Sequence, residues 1–222
     1  MLKSFLSLWL KFPCPLCQRI TEDTICHYCQ KKLRSYQITQ PNASWRGNLP
    51  VFAWGKYDGD LSRAIAKIKY DGYPELGVLL GTWLGKSWLK HCPLATLQKL
   101  TVLPIPLSQE KFKNRGFNQA ESMARGFCQV TKYKLDTKSL VRIKNTKAMF
   151  GLNSIERQHN IKGAFAVNPN WQKNSSSSVL LLDDIYTRGT TVTEAARILR
   201  QQKINVIGAI ALAKVMKNQH KN

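Results

Sequence analysis

Val179-Leu-Leu-Leu-Asp-Asp-Ile-Tyr-Thr-Arg-Gly-Thr-Thr191 decides the reading of this chain: an apolar run of buried-strand length, an acidic pair and a small polar loop holding one glycine. A helical pattern follows at once, because Val192, Ala195, Ala196 and Leu199 recur at the i, i+3, i+4, i+7 spacing of an amphipathic helix. Ligands of open α/β sheets bind just beyond the carboxyl ends of strands, where this pattern puts Asp183 and Asp184. Adjacent carboxylates repel each other unless cations or hydrogen-bond donors face them, and ribose hydroxyls with Mg²⁺ would do both. The loop has the opposite chemistry. Thr187, Arg188, Gly189, Thr190 and Thr191 offer successive backbone N–H groups, three hydroxyls and a glycine that permits close approach, at the positive end of a helix. That is a site for a phosphate dianion.

On either side of this segment strand and helix patterns alternate. Val51-Phe-Ala-Trp54 reads as an edge strand. Leu61, Ala64, Ile65 and Ile68, then Leu76, Leu79, Leu80, Leu84 and Trp88, mark two helices broken at Asp71-Gly-Tyr-Pro74. Thr101–Pro106 is a buried strand ending in prolines, followed by a basic loop and a helix from about Asn118 to Cys128. The polar Ser run 174–178 is a loop, and Val206–Leu212 is one more apolar strand. The expected fold class is α/β, a mainly parallel sheet flanked by helices.

Before that domain stand Cys14-Pro-Leu-Cys17 and Cys26-His-Tyr-Cys29. Each Cys-x-x-Cys brings two thiolates to one ion from a tight turn, and two such turns complete a tetrahedral Cys₄ zinc shell. The close spacing predicts a compact pair of knuckles; no secretory signal favours disulfides instead. Cys92 and Cys128 stand alone and read as core residues. A polar segment from Ser35 to Asn48 separates the module from the first strand. The division expected is an apolar helix and zinc ribbon at 1–34, a sheet domain at 50–216 and a basic tail at 217–222.

Among 222 residues, 34 Lys and Arg face 13 Asp and Glu, a net charge of +21. Anionic partners are expected, although a solvated basic face, nucleic acid and an acidic membrane surface all answer to charge alone. The excess is partly regional: between Glu121 and Glu156 the acid is Asp136, among Arg125, Lys132, Lys134, Lys138, Arg142, Lys144 and Lys147. The apolar start, MLKSFLSLWLKF, is broken by Lys11 and lacks a small-residue cleavage site, and no stretch approaches the roughly 20 apolar residues that span a bilayer. It reads as a docking helix of a soluble, cytoplasmic protein, with peripheral contact at the inner face of the membrane as the alternative.

The strand, acid pair and Thr-x-Gly-Thr-Thr loop resemble the signature of the type I phosphoribosyltransferases. That resemblance implies binding of 5-phosphoribosyl diphosphate with Mg²⁺, Asp183 and Asp184 holding the ribose hydroxyls and Thr187–Thr191 wrapping the 5-phosphate. It also implies a diphosphate loop after an earlier strand. Leu103-Pro-Ile-Pro106 followed by Lys111-Phe-Lys-Asn-Arg-Gly-Phe-Asn-Gln119 is placed to serve, with Lys113 and Arg115 as its cations, unless this is a plain basic surface loop. With the zinc ribbon and the Arg-Gly-Phe-Asn-Gln loop, nearly the whole chain resembles the ComF family, linked to DNA uptake in natural transformation. Asn145–Leu152 and Arg157-Gln-His-Asn-Ile-Lys-Gly-Ala-Phe165 resemble further stretches of that family, with Met149 standing where its Gln is frequent. The resemblance implies an accessory role in DNA uptake, with other DNA-uptake proteins as partners, and the acid-poor basic stretch then assigns single-stranded DNA to Lys132, Lys134, Lys138 and Lys144. The alternative is a true transferase, in which an acceptor nucleophile displaces diphosphate from C1 of the ribose.

Overall fold

The structure is a computed structural model, and it describes residues 11–96, 99–146, 154–169 and 178–216. The apolar start at 1–10, Lys147, Met149, Phe150, the Ser run up to residue 177 and the tail at 217–222 lie outside the described residues.

Two short strands, β1 (Phe12–Pro13) and β2 (Ile20–Thr21), pair antiparallel and lead into helix α1 (His27–Arg34). Then come β3 (Val51–Lys56), α2 (Gly59–Asp71), α3 (Pro74–His91), β4 (Leu100–Pro104), α4 (Gln109–Arg115), α5 (Gln119–Thr131) and β5 (Lys134–Leu135). β6 (Leu140–Arg142) and β7 (Phe165–Val167) form a separate antiparallel pair, with α6 (Ser154–Ile161) between them in sequence. β8 (Ser178–Tyr186), α7 (Thr190–Gln201) and β9 (Val206–Lys214) complete the described chain. The central sheet is parallel throughout, in the order β3-β9-β8-β4-β5. The edge strand expected at Val51 is therefore at an edge.

Local chemistry sets the boundaries. Asp58 caps α2 by accepting from the Gly59 N–H at 2.7 Å, and Gly72, at φ 75°, ends the helix in the left-handed region before Pro74 starts α3. The stretch after β4, expected to be a basic loop, instead contains helix α4. Ser108 stands at its N-cap and Gly116, at φ 78°, closes it. Both are ordinary helix boundary signals, masked in sequence by the lack of an apolar stripe.

The pleat of β8 divides the core. Leu180 and Leu182 face a cluster with Phe52, Trp54, Ile68, Leu84, Trp88 and Phe127; Val179 and Leu181 face another with Leu103, Phe165, Val192, Ala195 and Leu199. In the first cluster α3 and α5 meet almost backbone to backbone. A Cβ on Gly81 would overlap the Met123 carbonyl, and one on Gly126 the Val78 carbonyl. The cysteine module joins this same cluster through Ile25 and Leu33, both fully buried, while Lys32 pairs with Asp60 at 3.1 Å and Arg34 lies over the Trp83 ring. The polar segment after it also packs: Ile38 N–H donates to the Trp54 carbonyl, and Trp45 meets Trp88 edge to face at 5.1 Å.

Candidate functional site

Strand order reverses between β4 and β8, because the chain leaves β4 toward β5 on one side and returns to β8 on the other. Such a switch point opens a crevice above the strand ends. The registers deepen it. β4 stops pairing with β8 at Pro104↔Leu182, with a last bond from the Ile105 N–H to the Leu182 carbonyl, whereas β8 stays paired with β9 as far as Tyr186↔Lys214. Asp183 and Asp184 therefore lie inside the strand but beyond the end of its neighbour.

The same pleat that splits the core splits the acid pair. Asp184 continues the Leu180, Leu182 face and reaches Lys69 of α2 and Gln119 of α5; Asp183 continues the other face, toward Arg142 of β6. Lys69 Nζ forms an ion pair with Asp184 Oδ2, and Gln119 Nε2 donates to Asp184 Oδ1 at 3.2 Å. Gln119 Oε1 in turn accepts from Arg115 Nη1, so one chain of contacts runs Arg115, Gln119, Asp184, Lys69. The Asp184 N–H donates to Asp183 Oδ1 at 2.9 Å.

The two carboxyls titrate apart. Burial, the Asp184 charge and a hydrogen bond between them push Asp183 well above the usual carboxylate range. Burial raises Asp184 too, but the Lys69 charge and hydrogen bonds from Lys69, Asp183 and Gln119 outweigh it and hold that carboxyl below its ordinary value. Burial opposes the charge on Lys69, yet Asp184 more than compensates and its pKa is raised. Two further cations converge. Lys111, half-buried, is pushed down by desolvation and then by Arg142, Arg115 and Lys69. Arg142 feels burial and the Asp183 charge; it hydrogen-bonds Thr146 and lies 5.4 Å from the Phe165 ring. Its buried Nε has no hydrogen-bond partner among the described residues.

Of the cations expected for a diphosphate, Arg115 is half-buried beside this cluster, while Lys113 is exposed on the same helix. Lys69, Lys111, Gln119 and Arg142 were not singled out as ligand groups by sequence. Lys69 sits in an ordinary amphipathic helix, and no local pattern connects it with a strand far away in sequence. Asn118 does structural duty: Oδ1 accepts from the Ala120 N–H and caps α5, and Nδ2 donates to the Ile105 carbonyl, both at 3.0 Å. It thus fixes the Pro104–Pro106 turn against the helix that carries Gln119.

After β8, Gly189 is the N-cap of α7 at φ 77°, so the loop 187–191 ends at the first turn of a helix whose leading N–H groups lack intrahelical acceptors. Thr187 and Arg188 are exposed, Thr190 and Thr191 half-buried. A Cβ on Gly189 would lie 2.5 Å from the Tyr186 hydroxyl. Glu194, further along α7, accepts from the Gly163 N–H at 2.8 Å and ties the turn before β7 to this helix.

Cys14, Cys17, Cys26 and Cys29 place their sulfurs within 4.8 Å of one another. A zinc ion with bonds of about 2.3 Å to each needs sulfurs about 3.8 Å apart, so the cluster fits that ion with small adjustments. Cys17 Sγ and Cys26 Sγ are 3.5 Å apart, and the Cys26 N–H points to Cys14 Sγ. The expected pair of knuckles is half right. Cys14–Cys17 is a hairpin knuckle, with Gln18 N–H bonded to the Cys14 carbonyl, but Cys26 and Cys29 come from the N-cap and first turn of α1. A helix N-terminus favours thiolates there. His27 is exposed and is not among the four clustered sulfur ligands.

Lys132, Lys134, Lys138 and Lys144 are exposed. Tyr133, set among these lysines, is 7% exposed, takes a hydrogen bond from Trp88 Nε1 and gives one to the Ala95 carbonyl. It is core. Cys92 is buried and Cys128 half-buried, as expected of packing residues. Among the described residues no helix is long and apolar enough to cross a membrane.

No protein-family model matches the chain. It is 25% identical to competence protein F of Haemophilus influenzae over 93% of this chain and 98% of that one. It is 26% identical to the DNA utilization protein YhgH of Escherichia coli, covering 84% and 83%, and 23% identical to competence protein ComFC of Bacillus subtilis, covering 85% and 72%.

Proposed function

We propose, from the premise that the chain belongs to the ComF family, as relatives named for competence and DNA utilization support, that it binds 5-phosphoribosyl diphosphate or a closely related phosphorylated sugar and serves DNA handling in competence. One observation carries the ligand reading: an acid pair at the sheet's switch point, Asp184 buried and Asp183 half-buried, with Lys69, Arg115 and Arg142 around it, stands beside a glycine-capped helix N-terminus. In this reading Asp183 and Asp184 take the ribose hydroxyls, Thr187–Thr191 hold the 5-phosphate, and Arg115, with Lys113 on the outer side of α4, serves the diphosphate. Cys14, Cys17, Cys26 and Cys29 would hold a structural zinc ion, which supplies local folding energy to the 1–34 module.

The test is a thermal shift. 5-Phosphoribosyl diphosphate should raise the melting temperature of the wild type, since a ligand that binds only the folded state stabilises it by mass action. Asp184→Asn removes a hydroxyl partner and Gly189→Val places a branched side chain in left-handed backbone where phosphate must meet N–H groups. Unchanged shifts in both variants would put the ligand elsewhere.

The basic surface at Lys132, Lys134, Lys138 and Lys144 is assigned in this reading to single-stranded DNA, which its exposure and the DNA-linked names of the relatives support. Turnover is the second reading. The cationic ring suits a diphosphate leaving group, and release of diphosphate only when cell extract supplies an acceptor would favour a transferase over a binding protein.

A further inference from the structure

We propose that Lys69 is the resident cation of the acid pair, so that the site takes a phosphoribosyl diphosphate through its own basic side chains and needs no divalent metal. The inference rests on the ligand reading above and concerns how that site balances charge.

Magnesium fits these carboxylates poorly. It demands a near-octahedral set of oxygens and gives up its waters reluctantly. Asp184 has both oxygens engaged, Oδ2 by the Lys69 ammonium and Oδ1 by the Gln119 amide. Gln119 has its own oxygen committed to Arg115. Asp183 Oδ1 accepts from the Asp184 N–H, so three of the pair's four carboxylate oxygens already face a donor or a cation. A metal would also have to displace a buried ammonium, since the Lys69 and Asp184 side chains are only 18% and 6% exposed.

The surplus charge is already positive. Lys69 pairs with Asp184, Arg115 reaches it through Gln119 and Arg142 feels the Asp183 charge, so three basic side chains already serve two carboxyls, with Lys111 standing among these cations and balanced by Glu110. A dication would add to that surplus; a polyanion would cancel it. Arg142 supports the same assignment, because its buried Nε lacks a partner among the described residues and a phosphate oxygen would supply one. Lys69 keeps Asp184 ionised and oriented for the sugar hydroxyls, a positioning role, while Lys111, Arg115 and Arg142 meet the diphosphate.

Titrating the full chain with 5-phosphoribosyl diphosphate, once in EDTA and once in magnesium, tests this. The wild type should bind in both buffers with dissociation constants within about threefold of each other. Lys69→Met should weaken binding in EDTA by roughly tenfold or more, and magnesium should recover most of that loss because the freed carboxylates can then accept the ion. Lys69→Arg, which keeps the charge, should stay metal-independent, and circular dichroism of both variants checks that they fold. Binding by the wild type in magnesium alone, or a Lys69→Met loss that magnesium leaves untouched, would overturn the resident-cation proposal while sparing the ligand reading. Binding in neither buffer would overturn both.

Discussion

Replacing Asn118 by Ala should cost this protein about 2–4 kcal/mol, a large effect for a residue that touches neither carboxylate. Asn118 is 8% exposed and makes two hydrogen bonds at 3.0 Å, one as the α5 cap and one to the Ile105 carbonyl. Losing the cap costs about 1 kcal/mol, and leaving a buried carbonyl unsatisfied costs about 1–3 kcal/mol. Chemical denaturation with an unchanged m-value would report the loss, and for a chain of this size it corresponds to a melting temperature lowered by about 4–16 °C. Asn118→Ser keeps an acceptor for the cap and should lose only the carbonyl part, about 1–3 kcal/mol. Ligand affinity should fall with stability, because the Pro104–Pro106 turn and Gln119 are held by the same side chain. A loss below about 0.5 kcal/mol for Asn118→Ala, the range of an unremarkable surface change, would refute the role given to Asn118.

Gly81→Ala or Gly126→Ala should destabilise by at least about 1–3 kcal/mol in the same assay, because each new methyl meets a backbone carbonyl of the facing helix and a side-chain shift cannot relieve it. Metal analysis of reductively purified protein should find one zinc per chain, and Cys26→Ser should raise hydrogen exchange in residues 12–34 far more than in β8 and β9. Single-stranded DNA should bind with little sequence preference and a steep salt dependence. Gln at Lys132, Lys134, Lys138 and Lys144 together should flatten the log-log slope by about 0.7 for each phosphate no longer neutralised, leaving phosphoribosyl-diphosphate binding intact.

The order and class of the elements were legible because the core is periodic: Leu61 to Ile68 at helical spacing, Val179 to Leu182 as a buried run, Gly72 and Pro74 as a break between helices. Asp183, Asp184 and the Gly189 loop were legible for the same local reason, since strand, ligand groups and helix are contiguous. Helix α4 was missed because it has no buried face. The ring of cations was missed for a different cause. Lys69 and Arg142 reach the acids from separate elements, with Lys111 on a third beside Arg142, and packing across the whole fold, not any local pattern, brings them together. Tyr133 lies among lysines in sequence, yet its hydroxyl is held between Trp88 and Ala95 in the interior, which no local pattern announces.

The most direct test of the ligand site divides the ligand in two. Ribose 5-phosphate and inorganic diphosphate should each bind the wild type measurably but more weakly than intact 5-phosphoribosyl diphosphate, as the two halves of a site on the 187–191 loop and on the Lys111, Arg115, Arg142 ring. Gly189→Val should abolish the ribose 5-phosphate titration and leave inorganic diphosphate bound. Loss of neither half, or binding of ribose 5-phosphate unaffected by Gly189→Val, would contradict the placement of the sugar phosphate at the head of α7.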